Sequence, residues 1–94
     1  MYFYDMNLSQ VEKISKALGD SHRLKILQQM QKNKGKLECT EACNLLSLAQ
    51  PSVSYHIKKL VEAGLIHQYK IGRHYHYALN HEVLDMYREA LKQL

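Results

Sequence analysis

Three sets of residues in this 94-residue chain have the types and spacing to do chemistry. Cys39 and Cys43, within "LECTEACNLL", stand four positions apart and are the only two cysteines. On a helix that spacing turns both side chains the same way, with Cβ atoms about 5–6 Å apart. The separation suits two ligands of one metal ion and exceeds the ~3.5–4.5 Å of a disulfide. A metal would need a third or fourth ligand, and no further thiol exists to supply it; His22 or an N-terminal group could serve only if the fold brings it close. Free cysteine is most often a small buried hydrophobe. Core packing is therefore the favoured reading, with a soft-metal or metalloid site and a reactive thiol as alternatives. His67, His74 and His76 form the second set, on one face of a hairpin if residues 66–79 make one. Imidazoles so placed could hold zinc, but no carboxylate within the hairpin orients the rings, and no metal site is assigned.

The third set lies in "QPSVSYHIKKLVEAG". As a helix, this segment puts Val53, Ile57 and Leu60 on one face. The opposite face carries Pro51, Ser54, Tyr55, Lys58, Lys59 and Glu62, with Gln50 and Ser52 at the rim of the first turn. Gln can bond an adenine edge in two places, and Ser can bond several bases. Lys58, Lys59 and the N–H groups at the helix start can meet phosphates. At the hairpin tip, Lys70, Arg73 and His74 suit a flanking phosphate or an adjacent minor groove. Basic residues thus recur on helix and hairpin, where one duplex could touch both. Double-stranded DNA is the expected partner, and Gln50, Ser52, Ser54, Tyr55, Lys58, Lys59, Lys70, Arg73 and His74 are the expected contacts. His56, beside Val53 and Leu60, reads as a partly buried packing residue. The competing readings are a merely solvated polar face and, separately, a winged-helix protein-interaction module that uses the fourth helix or the wing on a protein without specific DNA reading.

Those side chains need a frame, and the hydropathy pattern predicts five helical segments and one hairpin. "NLSQVEKISKALG" places Leu8, Val11, Ile14 and Leu18 on one stripe, with Ser9 and Glu12 as a capping box and Gly19 as the stop. "DSHRLKILQQMQKNKG" starts at an Asp20 cap, turns Leu24, Leu27 and Met30 inward and stops at Gly35. Residues 39–46 form a short third helix. Pro51 fits the first turn of the fourth, where its missing N–H costs nothing, and Gly64 closes it. "LIHQYKI" and "HYHYAL" flank Gly72-Arg73 as a hairpin in which Ile66 pairs with Leu79 on the core face. His67, Tyr69, His74 and His76 then share the wetter face. "NHEVLDMYREALKQL" has an Asn80 cap and the stripe Leu84, Tyr87, Leu91, Leu94. This order predicts a mainly α fold with a β-hairpin wing, a winged helix-turn-helix. The terminal helices carry more apolar surface than so small a core absorbs, which predicts a homodimer.

Composition sets the bounds. Thirteen Lys and Arg against nine Asp and Glu give a net charge of +4, consistent with a polyanionic partner. No run approaches the ~18 apolar residues of a membrane span. "MYFYDMN" lacks the pattern of an export signal, and two cysteines without a framework of pairs fit a reducing cytoplasm. "MYFY" itself reads as an arm over the dimer seam, with a small apolar effector pocket as the alternative. The chain has no phosphate-cradling glycine loop, no nucleophile elbow and no His-Glu-x-x-His pattern. Neither an enzyme nor a cofactor is expected.

"KALGDSHRLKIL", "LLSLAQPSVSYHIKKLVEAGLI" and "YKIGRHYHYALN" together resemble the ArsR/SmtB family of bacterial winged-helix repressors. The resemblance implies a homodimer assembled through its first and last helices. It also implies an inverted-repeat operator, released when an inducer binds. Carried over, Gln50, Ser52, Ser54 and Tyr55 match the recognition-helix contacts and Arg73 the wing arginine, while Ala49 stands where the family usually has a Ser cap. Domain boundaries follow for a single domain over 1–94: dimerisation helices at 1–18 and 80–94, the helix-turn-helix at 39–64 and the wing at 65–79. The family's thiolate motif, Glu-Leu-Cys-Val-Cys-Asp/Glu-Leu, is not matched in register. Lys36 replaces its first Glu, Glu38 and Thr40 occupy the thiolate positions, and Cys39 falls between them. At the places of the family's other metal site, on the last helix, stand His81 and Val83. The inducer is left unassigned.

Overall fold

The computed structural model describes residues 6–94, so the "MYFY" segment lies outside the described residues. In chain order come α1 (Leu8–Leu18), α2 (Ser21–Lys32), β1 (Lys36–Glu38), α3 (Cys39–Leu46), α4 (Gln50–Glu62), β2 (Ile66–Ile71), β3 (His74–Leu79) and α5 (His81–Leu91). The result is the winged helix-turn-helix that the pattern predicts.

α1 begins earlier than its expected cap. Asn7, not Ser9, accepts from the Gln10 amide at 2.8 Å, and the Gln10 side chain accepts from the Asn7 amide at 3.1 Å. Asn at least matches Ser as a cap, and the reciprocal bond satisfies two donors at once. Ile14 and Ala17 are the buried residues of α1, while Leu8 is 77% exposed. α2 starts at Asp20, as expected, and buries Ile26, Leu27 and Met30. Leu24 is a correction: it is 50% exposed, because it sits roughly 110° round the helix from that stripe. The inward position of this first turn goes to Arg23.

The strand β1 is not anticipated by the sequence pattern. It pairs antiparallel with β3, Leu37 opposite Tyr77, in a sheet ordered β1-β3-β2. Three residues are too short to display an alternating pattern. The turn into β1 passes Gly35 at φ +82°, where an added Cβ would lie 2.9 Å from His81 Nε2. The hairpin has the expected register, with Ile66 opposite Leu79 and the turn at Gly72-Arg73.

A continuous apolar core joins α1–α4, the sheet and the start of α5, and no polar or charged residue is buried among the described residues. Ser15 Oγ and Tyr87 Oη, 2.9 Å apart, tie α1 to α5. Leu84 and Tyr87 are buried, but Leu91 is 41% and Leu94 85% exposed. The outer edges of α1 and α5 thus carry uncovered apolar side chains. No helix among the described residues is long and apolar enough to cross a membrane.

Candidate nucleic-acid interface

Val53, Ile57 and Leu60 anchor α4 in the core, and this fixes where every other residue of the helix points. At 100° per residue the exposed side chains sort into rows. Gln50, Ser54 and Lys58 form one row, facing the wing. Tyr55 stands on the crest, 55% exposed. Ser52, His56 and Lys59 lie toward α2. The Lys59 Nζ lies 5.4 Å from the Tyr55 ring centroid, a cation–π distance that holds the two side chains together.

Between α4, α3 and the wing runs a groove of about 1100 Å³. Gln50, Ser54 and Lys58 line one wall, and Arg73 and His74 line the other. Of the expected contacts, these five converge. Ser52, Tyr55, Lys59 and Lys70 do not line the groove. Lys70 packs its Nζ 4.9 Å from the centroid of Tyr75 on the neighbouring strand. All nine are solvent-accessible, Lys59 the least so.

Cys39 and Cys43 line the same groove, together with Thr40 and Asn44 from α3. Both thiols are partly buried and pack against the core. Burial, then the neighbouring Cys43, pushes the Cys39 thiol up, which favours the protonated form over a reactive thiolate. Their place beneath the helix–wing groove is not legible in sequence. It depends on β1, which carries the start of α3 to the edge of the sheet.

On the wing, the register puts His67, Tyr69, His74 and His76 on one face, as expected. Tyr69 stacks on His76 at 5.6 Å, and His76 Nδ1 lies 3.7 Å from a Glu38 carboxylate oxygen. The hairpin itself has no carboxylate to orient these rings, but β1 supplies one. The three wing histidines do not converge as a ligand set; among the described residues only Asp20, His22 and His56 do so.

His56 is partly buried, as expected, but its surroundings are polar rather than simply apolar. Its Nδ1 lies 3.4 Å from Arg23 Nη1 and 3.9 Å from Asp20 Oδ1. Burial pushes its pKa below the ordinary 6.5; the Asp20 charge opposes this, and Arg23 and His22 reinforce it. Asp20 accepts from the His22 and Arg23 amides as the α2 cap. Burial alone would raise its carboxyl, but those two bonds and the nearby cations outweigh it and hold the pKa below 3.8.

Residues 18–69 match a family model described as a helix-turn-helix domain. The chain is 39% identical over 85 residues to an arsenical resistance operon repressor of Staphylococcus aureus, covering 85% of this chain and 75% of that protein. A repressor of the same name from Staphylococcus xylosus is 37% identical over 91 residues, with 92% and 81% covered. Among solved structures, an ArsR family transcriptional regulator superposes with a TM-score of 0.81 at 26% identity, covering 96% of this chain and 91% of that one. A homodimeric winged helix-turn-helix DNA-binding domain from Mycobacterium bovis has the same fold, with a TM-score of 0.74 at 21% identity and 92% and 79% covered.

Proposed function

Since this chain belongs to the ArsR family of winged-helix transcriptional regulators, we propose that it works as a homodimeric, sequence-specific repressor that reads an inverted-repeat operator and lets go when an inducer binds. The observation that carries this reading is the row Gln50, Ser54, Lys58 facing Arg73 and His74 across one open groove. A helix of 13 residues is about 20 Å long and fits the major groove, roughly 12 Å wide. Gln50, Ser52, Ser54 and Tyr55 meet base edges at the front of α4. Lys58 and Lys59 take phosphates farther along, and Lys70, Arg73 and His74 reach the flanking backbone or minor groove from the wing.

Two copies are needed to read an inverted repeat. The surface that supports pairing is the outer edge of α1 and α5, where Met6, Leu8, Val11, Met86, Ala90 and Leu94 border a small cleft. Burying those side chains against a second copy contributes about 25 cal/mol per Å² of apolar area.

A gel-shift on the DNA upstream of its own gene tests the proposal. Tight binding to a palindrome with half-sites about one helical turn apart is expected. With on the order of eight phosphate contacts per dimer, affinity falls about 10³- to 10⁵-fold between 50 and 200 mM salt. Repeating the shift with arsenite, cadmium, zinc, copper, a thiol oxidant and a chelator identifies the inducer. Equal, weak affinity for every duplex would replace this reading with that of a protein-interaction module.

A further inference from the structure

The start of α2 and the middle of α4 bring together two imidazoles and a carboxylate that neither the core nor the proposed reading face uses. His22 Nδ1 lies 3.6 Å and His56 Nδ1 3.9 Å from the same Asp20 oxygen, and one ligand atom from each residue falls within 4.8 Å of the others. A tetrahedral ion with bonds of about 2.1 Å holds its ligand atoms roughly 3.4 Å apart. Two of the three separations are therefore within about half an ångström of that requirement. The third, between the two imidazoles, is within 4.8 Å, and the His22 side chain is 38% exposed.

We propose that Asp20, His22 and His56 form a binding site for a divalent first-row transition ion of the zinc, cobalt and nickel class, bound by two nitrogens and one oxygen. Nitrogen and oxygen donors suit these ions, whereas thiophilic ions favour thiolates. A fourth position is left for water, so binding is reversible and of moderate strength. Both cap bonds fall on Asp20 Oδ1, the one from the Arg23 amide a long 3.3 Å, so an ion either displaces that weaker bond or is taken by Oδ2, which keeps its lone pairs. Arg23 is the one competitor. Its Nη1 approaches His56 at a long 3.4 Å, while its Nε is held by the Ala17 carbonyl. The terminal nitrogen can therefore swing away without releasing the side chain.

The site uses none of the proposed DNA contacts, although His56 adjoins the Tyr55 ring on α4, and it uses neither thiol of α3. It is tested by titrating the full chain with Co²⁺ and following the visible d–d bands, with Zn²⁺ as competitor. One ion per chain is expected, without thiolate-to-metal charge transfer, and unchanged in C39S/C43S. Asp20→Asn, which keeps the cap acceptor, and His22→Ala, on a partly exposed side chain, are each expected to weaken binding about tenfold or more, with far-ultraviolet circular dichroism unchanged. Equal binding by wild type and His22→Ala would overturn the site. Loss confined to C39S/C43S would move the ion to α3, and loss confined to H74Q/H76Q would move it to the wing; either also overturns it.

Discussion

Tyr55 and Ile57 are two positions apart on α4 and face opposite ways, so truncating each tests a different thing. Ile57 is buried in the core, and Ile57→Ala should cost about 2–5 kcal/mol of unfolding free energy in a denaturant titration. Tyr55→Ala removes an exposed ring and should change stability by no more than roughly 0.5 kcal/mol. Its effect belongs to the duplex, where a loss of about 1–3 kcal/mol is expected in a gel-shift. Arg73→Ala should act like a phosphate contact, weakening all duplexes alike and flattening the salt dependence. If both variants bind as wild type, the proposed reading surface is wrong. His56 gives a third test at this scale. It is faced by Asp20, Arg23 and His22, with the Tyr55 ring edge-on. Its folded pKa lies below the ordinary 6.5, so the unfolded chain binds the proton more tightly. The stability it contributes is complete above pH 6.5 and is lost as pH falls through the lower folded value. Melting temperature should drop over that window, and His56→Gln should reduce the drop. The Asp20 contribution is lost separately, below pH 3.8.

Helix caps and turns show how much the elements revealed of themselves in advance. Long, strongly periodic segments were legible: α4, its anchors Val53, Ile57 and Leu60, and the hairpin register follow directly from spacing. The Asn7 cap was less so, because Ser9 with Glu12 presents the same short pattern and only the folded geometry chooses between them. β1 was invisible, since Leu37 between two charged residues has meaning only once Tyr77 stands opposite it. The site divides the same way. Helical spacing reveals the row on α4, but the groove needs a wing whose distance from α4 no local pattern encodes. The convergence of Asp20, His22 and His56 has no local signal, because the two histidines are 34 residues apart in sequence. Two substitutions follow from these local geometries. Ala49 caps α4 with no side-chain bond, so Ala49→Ser should add about 1 kcal/mol, read as a raised melting temperature. Gly35 combines a positive φ with the close approach to His81. Gly35→Ala should destabilise the fold, by roughly 1–3 kcal/mol for the backbone strain alone.

At the scale of the molecule, apolar exposure at α1 and α5 is the feature that a single chain leaves unexplained. Leu8, Leu91 and Leu94 are exposed at the outer edges of helices whose inner faces are packed. Leu8→Glu, on the cleft between α1 and α5, is expected to shift the protein to monomer in analytical ultracentrifugation and to abolish tight binding to the palindrome, while half-site binding persists weakly. An unchanged sedimentation coefficient would place the dimer surface elsewhere. The joint between strand and helix beneath the wing has a mechanical meaning of its own. Glu38 is the last residue of β1 and Cys39 the first of α3, with no loop to act as a spring between them. The Glu38 amide is fastened to the Glu41 side chain, and Glu38 itself is laddered to His76. A displacement of the first turn of α3 therefore finds no slack: it is delivered to β3, the central strand of the sheet, or it unzips a ladder three residues long.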